Sequence, residues 1–166
     1  MIDTNLTASF VIGREAAKRM IPRGKGKIIT IGSLTRELAR ATIAPYSVSK
    51  GGIKPLTKAM AAEWGVHNIQ ANQIGRGYTI TDMNEALISN PAFDAWVDGR
   101  TPAKRWGKPE ELVRTVVFFA SAASEDVNGS DRLCGWRYGL GTLSFRGPDA
   151  SRGCGPQART SCLFCP

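Results

Sequence analysis

An α/β fold with a parallel sheet is what this sequence predicts, and three observations carry the prediction. Residues 1–130 alternate stretches of helical period with short runs of β-branched residues. The first of these runs, KIITIGS, is apolar and β-branched, the mark of a buried parallel strand. The composition, 42% hydrophobic and 22% charged over 166 residues, is that of a globular domain with a core.

The elements follow in order. TASFVIGREAAKRMI (7–21) has helical spacing, with Phe10, Ile12, Ala16, Ala17 and Met20 toward one side. PRGKG breaks that helix, and KIITIGS (27–33) is the first predicted strand. YSVSKGGIKPLTKAMAAEWGV (46–66) is a second long helix. Pro45 sits in its first turn, where a missing N–H costs nothing, whereas Pro55 lies inside and is expected to kink it. NIQANQIG (68–75) is the second strand. MNEALISN (83–90) and PEELVRTVVFFASAAS (109–124) are helical, the latter opened by a proline and two glutamates. Only two strands are visible, and an open parallel sheet covered on both faces needs more, so the first strands are expected to be missing.

Residues 131–166 have another composition. They hold six glycines, five arginines and all four cysteines (Cys134, Cys154, Cys162, Cys165), but no Lys, Glu, Ile, Val, Met or Asn. They read as an irregular tail following an α/β unit at 1–130. CLFC is a CxxC, yet it lacks the second pair or the histidines of a zinc site, so no metal is expected.

The net charge of +8 raises the possibility of a polyanionic partner. The basic residues are scattered, the densest cluster being RGKGK at 23–27, and no nucleic-acid signature accompanies them. No apolar run approaches the roughly 20 residues of a membrane helix. The start, MIDTNLTASFVIGREAAK, lacks the pattern of a signal peptide, so a cytoplasmic protein is expected, with neither nucleic acid nor membrane as partner.

The chemistry centres on PYSVSKGG (45–52). Tyr46 and Lys50 stand four apart, hence on one helical face. An ammonium nearby lowers a phenol pKa from its reference of about 10, so the tyrosine can exchange a proton with an alcohol or ketone near neutral pH. Tyr-x-x-x-Lys alone is common, and a solvated pair is the alternative. Ser33 lies thirteen residues before Tyr46, at the carboxyl end of the first strand, where open α/β sheets bind ligands. A serine there can hydrogen-bond a substrate oxygen, or merely shape a turn.

IGS, followed after thirteen residues by the tyrosine of YSVSK, resembles the active-site segment of the short-chain dehydrogenase/reductase family. DTNL (3–6) resembles its asparagine-bearing helix, and NIQANQIGRGYTITDM (68–83) the strand and loop that hold the nicotinamide. RTPAKRWGKPEEL (100–112) is similar to the end of the substrate lid, and VNG (127–129) to the lead into the last strand. TIAPYSVSKGGIK, HNIQAN and RTPAKRWG are most similar to the gluconate 5-dehydrogenase branch. The resemblance covers residues 1–130 in register.

It implies a partial Rossmann-type doubly wound parallel sheet that lacks its first strands. It also implies reversible hydride transfer between NAD or NADP and a small sugar acid or polyol. Carried over, Tyr46 is the general acid/base, Lys50 lowers its pKa and binds the nicotinamide ribose, and Ser33 orients the reacting oxygen. Asn5 holds a water linking Lys50 to solvent. Gly77, Thr79 and Thr81, with Tyr46 and Lys50, contact the cofactor. The family further implies a homodimer or homotetramer built on the two long helices. The plain alternatives are a helix cap at Asn5, an N-cap at Thr81 and a surface lysine at Lys50. At the level of function, the alternative is a non-catalytic fragment acting through helix association.

Two departures stand out. Arg76-Gly77 replaces the family's Pro-Gly, and with it the fixed φ that shapes the loop. The glycine-rich cofactor loop and the ribose-selecting residue, which belong upstream of Met1, are missing, and GKGKIIT precedes a strand rather than a helix. The chain is therefore expected to bind NAD(P) poorly and to aggregate. After VNG the family continues through Val-Asp-Gly-Gly, whereas this chain reads SDRLCGWRYG. Codons for Leu-Cys-Gly-Trp-Arg-Tyr read one base later permit Tyr-Val-Asp-Gly-Gly-Met. Residues 131–166 are accordingly expected to be out-of-frame translation beginning near Ser130.

Overall fold

The computed structural model describes residues 1–38 and 42–134. Cys154 and the CxxC of Cys162 and Cys165 lie outside the described residues, as does most of the stretch expected to be out of frame.

Helix α1 (Ala8–Met20) is preceded by a π-helical turn, Asp3–Thr7. Strand β1 (Gly26–Ser33), helix α2 (Ala44–Trp64) and strand β2 (Ile69–Arg76) form a βαβ unit. Short helices α3 (Glu85–Ile88), α4 (Pro91–Arg100) and α5 (Val113–Ala120) then lead to β3 (Asp131–Cys134). The strand order is β1-β2-β3, all parallel, with Gly26 opposite Ile69, Ser33 opposite Arg76, and Gln73 opposite Asp131.

Strand alternation assigns the faces. Thr30 meets Thr57 of α2 through a buried hydrogen bond of 2.7 Å, so the even positions of β1 face α2. On that face Met60, Ala61 and Ala71 are buried and pack with Ile28, Leu56 and Trp64. Lys27, an odd position, reaches Ser124 just after α5, so α5 covers the opposite face. Helices on both faces make the sheet doubly wound. The apolar, β-branched character of IITIG fits this cover, and β2 is buried from Ile69 through Gly75 although Gln70, Asn72 and Gln73 are polar.

Four expectations need correction or completion. Of the side expected to be covered, Ala17 is buried and Ala16 and Met20 are half-buried, but Phe10 (44% exposed) and Ile12 (69%) face outward, and Gly13 completes the buried line. Helical spacing defines faces but not which one is covered. Here the small residues win, because a Cβ on Gly13 would meet the Met60 methyl at 2.5 Å. Pro55 lies inside α2, which continues past it without interruption. Helix α4 was not anticipated, although Asn90-Pro91 is a start signal: the Asn90 side chain accepts from the N–H groups of Ala92 and Phe93.

The irregular stretch does not begin at 131. Asp131–Cys134 is a third strand, chosen by the free edge of β2 rather than by an apolar run of its own. The turn before it is tied down by side chains. Asn128 Oδ1 accepts from the Ala71 N–H at 2.8 Å, and Asn72 Oδ1 from the Ser130 N–H at 2.9 Å.

Candidate active site

The carboxyl ends of β1 and β2 form one edge of the sheet, and most predicted site residues gather there. Ser33 ends β1 and is 5% exposed. Its hydroxyl oxygen accepts from Thr35, from the backbone N–H at 3.2 Å and from the side chain at 3.0 Å. It therefore also opens the following turn, the modest role its sequence position allowed.

Tyr46 and Lys50 lie in the first two turns of α2, both half-buried. The Lys50 ammonium donates to the Ile31 carbonyl at 3.0 Å, which ties α2 to the end of β1. Burial pushes the Lys50 pKa below its usual 10.5, and the nearby Arg76 charge pushes it the same way. Lys50 is thus partly withdrawn from solvent.

Asn5 belongs to the π-helical turn that precedes α1. Its side-chain amide donates to Ser49 Oγ at 3.0 Å, and Ser49 donates to the Tyr46 carbonyl at 2.8 Å. Asn5 does not cap a helix by its side chain. Its approach to α2 depends on Gly52, where a Cβ would lie 2.7 Å from Leu6, the residue after Asn5.

The loop after β2 carries the other three. The Gly77 N–H donates to the Cys134 carbonyl at 3.1 Å, which links it to β3. Thr79 is buried, donates to the Gly77 carbonyl at 3.2 Å and bridges to Gly107. Thr81 occupies an N-cap position but makes no capping bond. Its Oγ1 is buried with no hydrogen-bond partner among the described residues, a hydroxyl left available for a ligand. Lys50 is tied to the end of β1 that Ser33 closes, and Asn5 is tied through Ser49 to the backbone of Tyr46. Gly77, Thr79 and Thr81 form a second group beside β2.

Sequence reading missed what holds that second group. Tyr78 packs edge-on to Phe93, Trp96 and Trp106, with centroids 5.5–5.9 Å apart. Trp106 Nε1 donates to Asp94 at 2.7 Å, and the backbone of Gly107 bonds to both Tyr78 and Ile80. The signal was three aromatics within residues 93–106 and a tyrosine beside Gly77. Sequence reading also missed Arg36. Its guanidinium is buried, donates to the Ser33 carbonyl at 3.3 Å and meets Asp131 at 2.6 Å. Arg36 therefore straps the serine-bearing end of β1 to β3.

The described residues contain no cluster of His, Cys, Asp or Glu able to hold a metal ion, and no helix long and apolar enough to cross a membrane.

A family model described as enoyl-(acyl carrier protein) reductase matches residues 1–134. Gluconate 5-dehydrogenase of Gluconobacter oxydans is 50% identical over 129 residues, covering 78% of this chain and 50% of that protein. A crystal structure provisionally described as a gluconate dehydrogenase, from Agrobacterium tumefaciens, superposes with a TM-score of 0.79 at 71% identity, over 80% of this chain and 53% of that one. A gluconate 5-dehydrogenase from Burkholderia cenocepacia, in complex with NADP and tartrate, has a TM-score of 0.77 at 48% identity, over 78% and 51% of the two chains. The chain spans about half the length of the curated relatives it matches.

Proposed function

The chain belongs to the short-chain dehydrogenase/reductase family, and from that premise we propose that it carries the active-site segment of an NAD(P)-dependent oxidoreductase acting on a sugar acid of the gluconate/5-ketogluconate type. One observation carries the reading: hydrogen bonds hold Lys50 against the end of β1 that Ser33 closes, and hold Asn5 against the turn of α2 that carries Tyr46. Lys50 is anchored on Ile31, and Asn5 reaches the Tyr46 backbone through Ser49.

The residues fit a nicotinamide cofactor at the second group. Thr81 offers an orphaned buried hydroxyl, and Gly77 and Thr79 line the same backbone-pinned loop. A bound nicotinamide supplies the two-electron acceptor or donor. The protein's own part is proton movement and orientation. Tyr46 takes the proton from the substrate hydroxyl in oxidation and returns it in reduction. Lys50 keeps positive charge beside the phenolate, and Ser33 holds the reacting oxygen by a hydrogen bond. Asn5 orders the turn of α2 that carries Tyr46.

The relatives that act on gluconate, and the related structure that holds tartrate, support a hydroxy-acid substrate. NADP or NAD serves as cofactor, with NADP favoured by that same structure. We place the protein in the cytoplasm and assign it a homodimeric or homotetrameric state through α1 and α2. The test is gluconate-dependent reduction of NADP, followed by the absorbance of the reduced nicotinamide, with the wild-type chain and Tyr46→Phe. The expected loss is roughly 100- to 10,000-fold. Turnover by Tyr46→Phe at the wild-type rate would overturn the assignment.

A further inference from the structure

Arg76 ends β2 directly opposite Ser33 in the parallel register. Paired positions of neighbouring strands, about 4.8 Å apart, project to the same face. Arg76 therefore stands beside the serine that the proposed reaction uses, and close enough to Lys50 for the two charges to repel. Arg76 is half-buried, yet its guanidinium has no hydrogen-bond or ion-pair partner among the described residues. Its neighbours are paired differently. Arg36 meets Ser33 and Asp131 through its two terminal nitrogens, Lys54 meets Glu37, and Lys50 has the Ile31 carbonyl alone. Two cations thus share the end of the sheet without a carboxylate on either.

We propose that Arg76 recognises an oxyanion of the ligand, a carboxylate or a phosphate, placed at the end of β2 between its guanidinium and Lys50. A guanidinium presents a planar fork of donors that matches both groups, and an anion there would relieve the repulsion between the cations. The proline that the resembled family places at this position offers no donor at all. Specificity is the consequence: an uncharged polyol gains nothing from Arg76, whereas an acid does. The inference rests on the dehydrogenase reading for the identity of the ligand but not for the anion site itself.

Calorimetric titration of the full chain tests it, comparing wild type, Arg76→Gln and Arg76→Lys against gluconate, sorbitol, NADP and inorganic pyrophosphate. Arg76→Gln is expected to weaken at least one oxyanion by about tenfold or more and to leave sorbitol unchanged. Arg76→Lys, which keeps the charge but loses the fork, is expected to fall between. Loss confined to gluconate assigns the substrate carboxylate, and loss confined to NADP and pyrophosphate assigns the cofactor phosphates. The Lys50 titration midpoint, read by NMR, should rise in Arg76→Gln. The proposal is overturned if wild type binds no oxyanion, if Arg76→Gln binds all of them as wild type does, or if sorbitol weakens in proportion. Pyrophosphate binding that needs Arg76, with no binding of gluconate or NADP, would keep the anion site and remove the dehydrogenase reading. Gluconate turnover indifferent to Arg76→Gln would do the reverse.

Discussion

Lys50 shows how a single residue serves the site at a cost to the fold. Its ammonium is partly removed from water and receives only one carbonyl in return. Its pKa in the folded chain is therefore below the unfolded value of 10.5. Above the folded midpoint and below 10.5, the unfolded chain binds more protons than the folded one, so stability rises with pH across that window. Below the window, both states carry the charge and the folded state bears the penalty. Lys50→Met should remove the rise, which urea unfolding at a series of pH values would reveal. At neutral pH the same variant should melt at or above the wild-type temperature while losing turnover, as expected where a strained group is kept for function. A pH slope unchanged by Lys50→Met would show that the lysine is not buried as described.

At the scale of elements, the strap from β1 to β3 is the feature most open to perturbation. Arg36 crosses β2 at Gly75, where a Cβ would fall 1.7 Å from the guanidinium. The arginine side chain is 1% exposed, so it cannot swing into solvent without leaving Ser33 and Asp131. Gly75→Ala should destabilise the chain by about 1–3 kcal/mol through overpacking. Asp131→Asn, which leaves a buried cation without its anion, should cost about 3 kcal/mol or more. Denaturant midpoints would measure both, and a neutral result for Asp131→Asn would remove the strap. The sequence showed α1, α2 and α5 by their helical period and β1 by its β-branched run, whereas β2, with Gln70, Asn72 and Gln73 among its residues, was legible only as a strand candidate after a long helix. It did not show β3, since DRLC has no pattern and becomes a strand only against the open edge of β2. The proposed catalytic group could be put forward from the sequence because it lies on short segments of fixed spacing. Arg36 and the aromatic packing around Tyr78 were not, because they depend on contacts between residues 15–95 positions apart.

At the scale of the whole molecule, the described residues expose apolar surface. Phe10, Val11 and Ile12 on α1, Val48 on α2, and Val113, Val116 and Val117 on α5 are all at least 38% exposed. Strand β1 is an edge of the described sheet, and Ile31 near its end is 44% exposed. Apolar patches and unpaired edges both favour association. Against them stands a net charge of +8, which keeps copies apart at low ionic strength. The balance predicts the sign of the salt effect. Added salt shortens the range of the repulsion to about 8 Å at physiological strength and leaves apolar contact intact. Association should therefore grow with salt and with protein concentration, read by light scattering coupled to size exclusion. Ile12→Glu combined with Val48→Glu should reduce it, because both residues sit on the outward faces of the two long helices. Dissociation on adding salt would mean that ion pairs, not apolar faces, hold the copies together. An unchanged mass in the double variant would move the contact from α1 and α2 to the β1 edge or to α5.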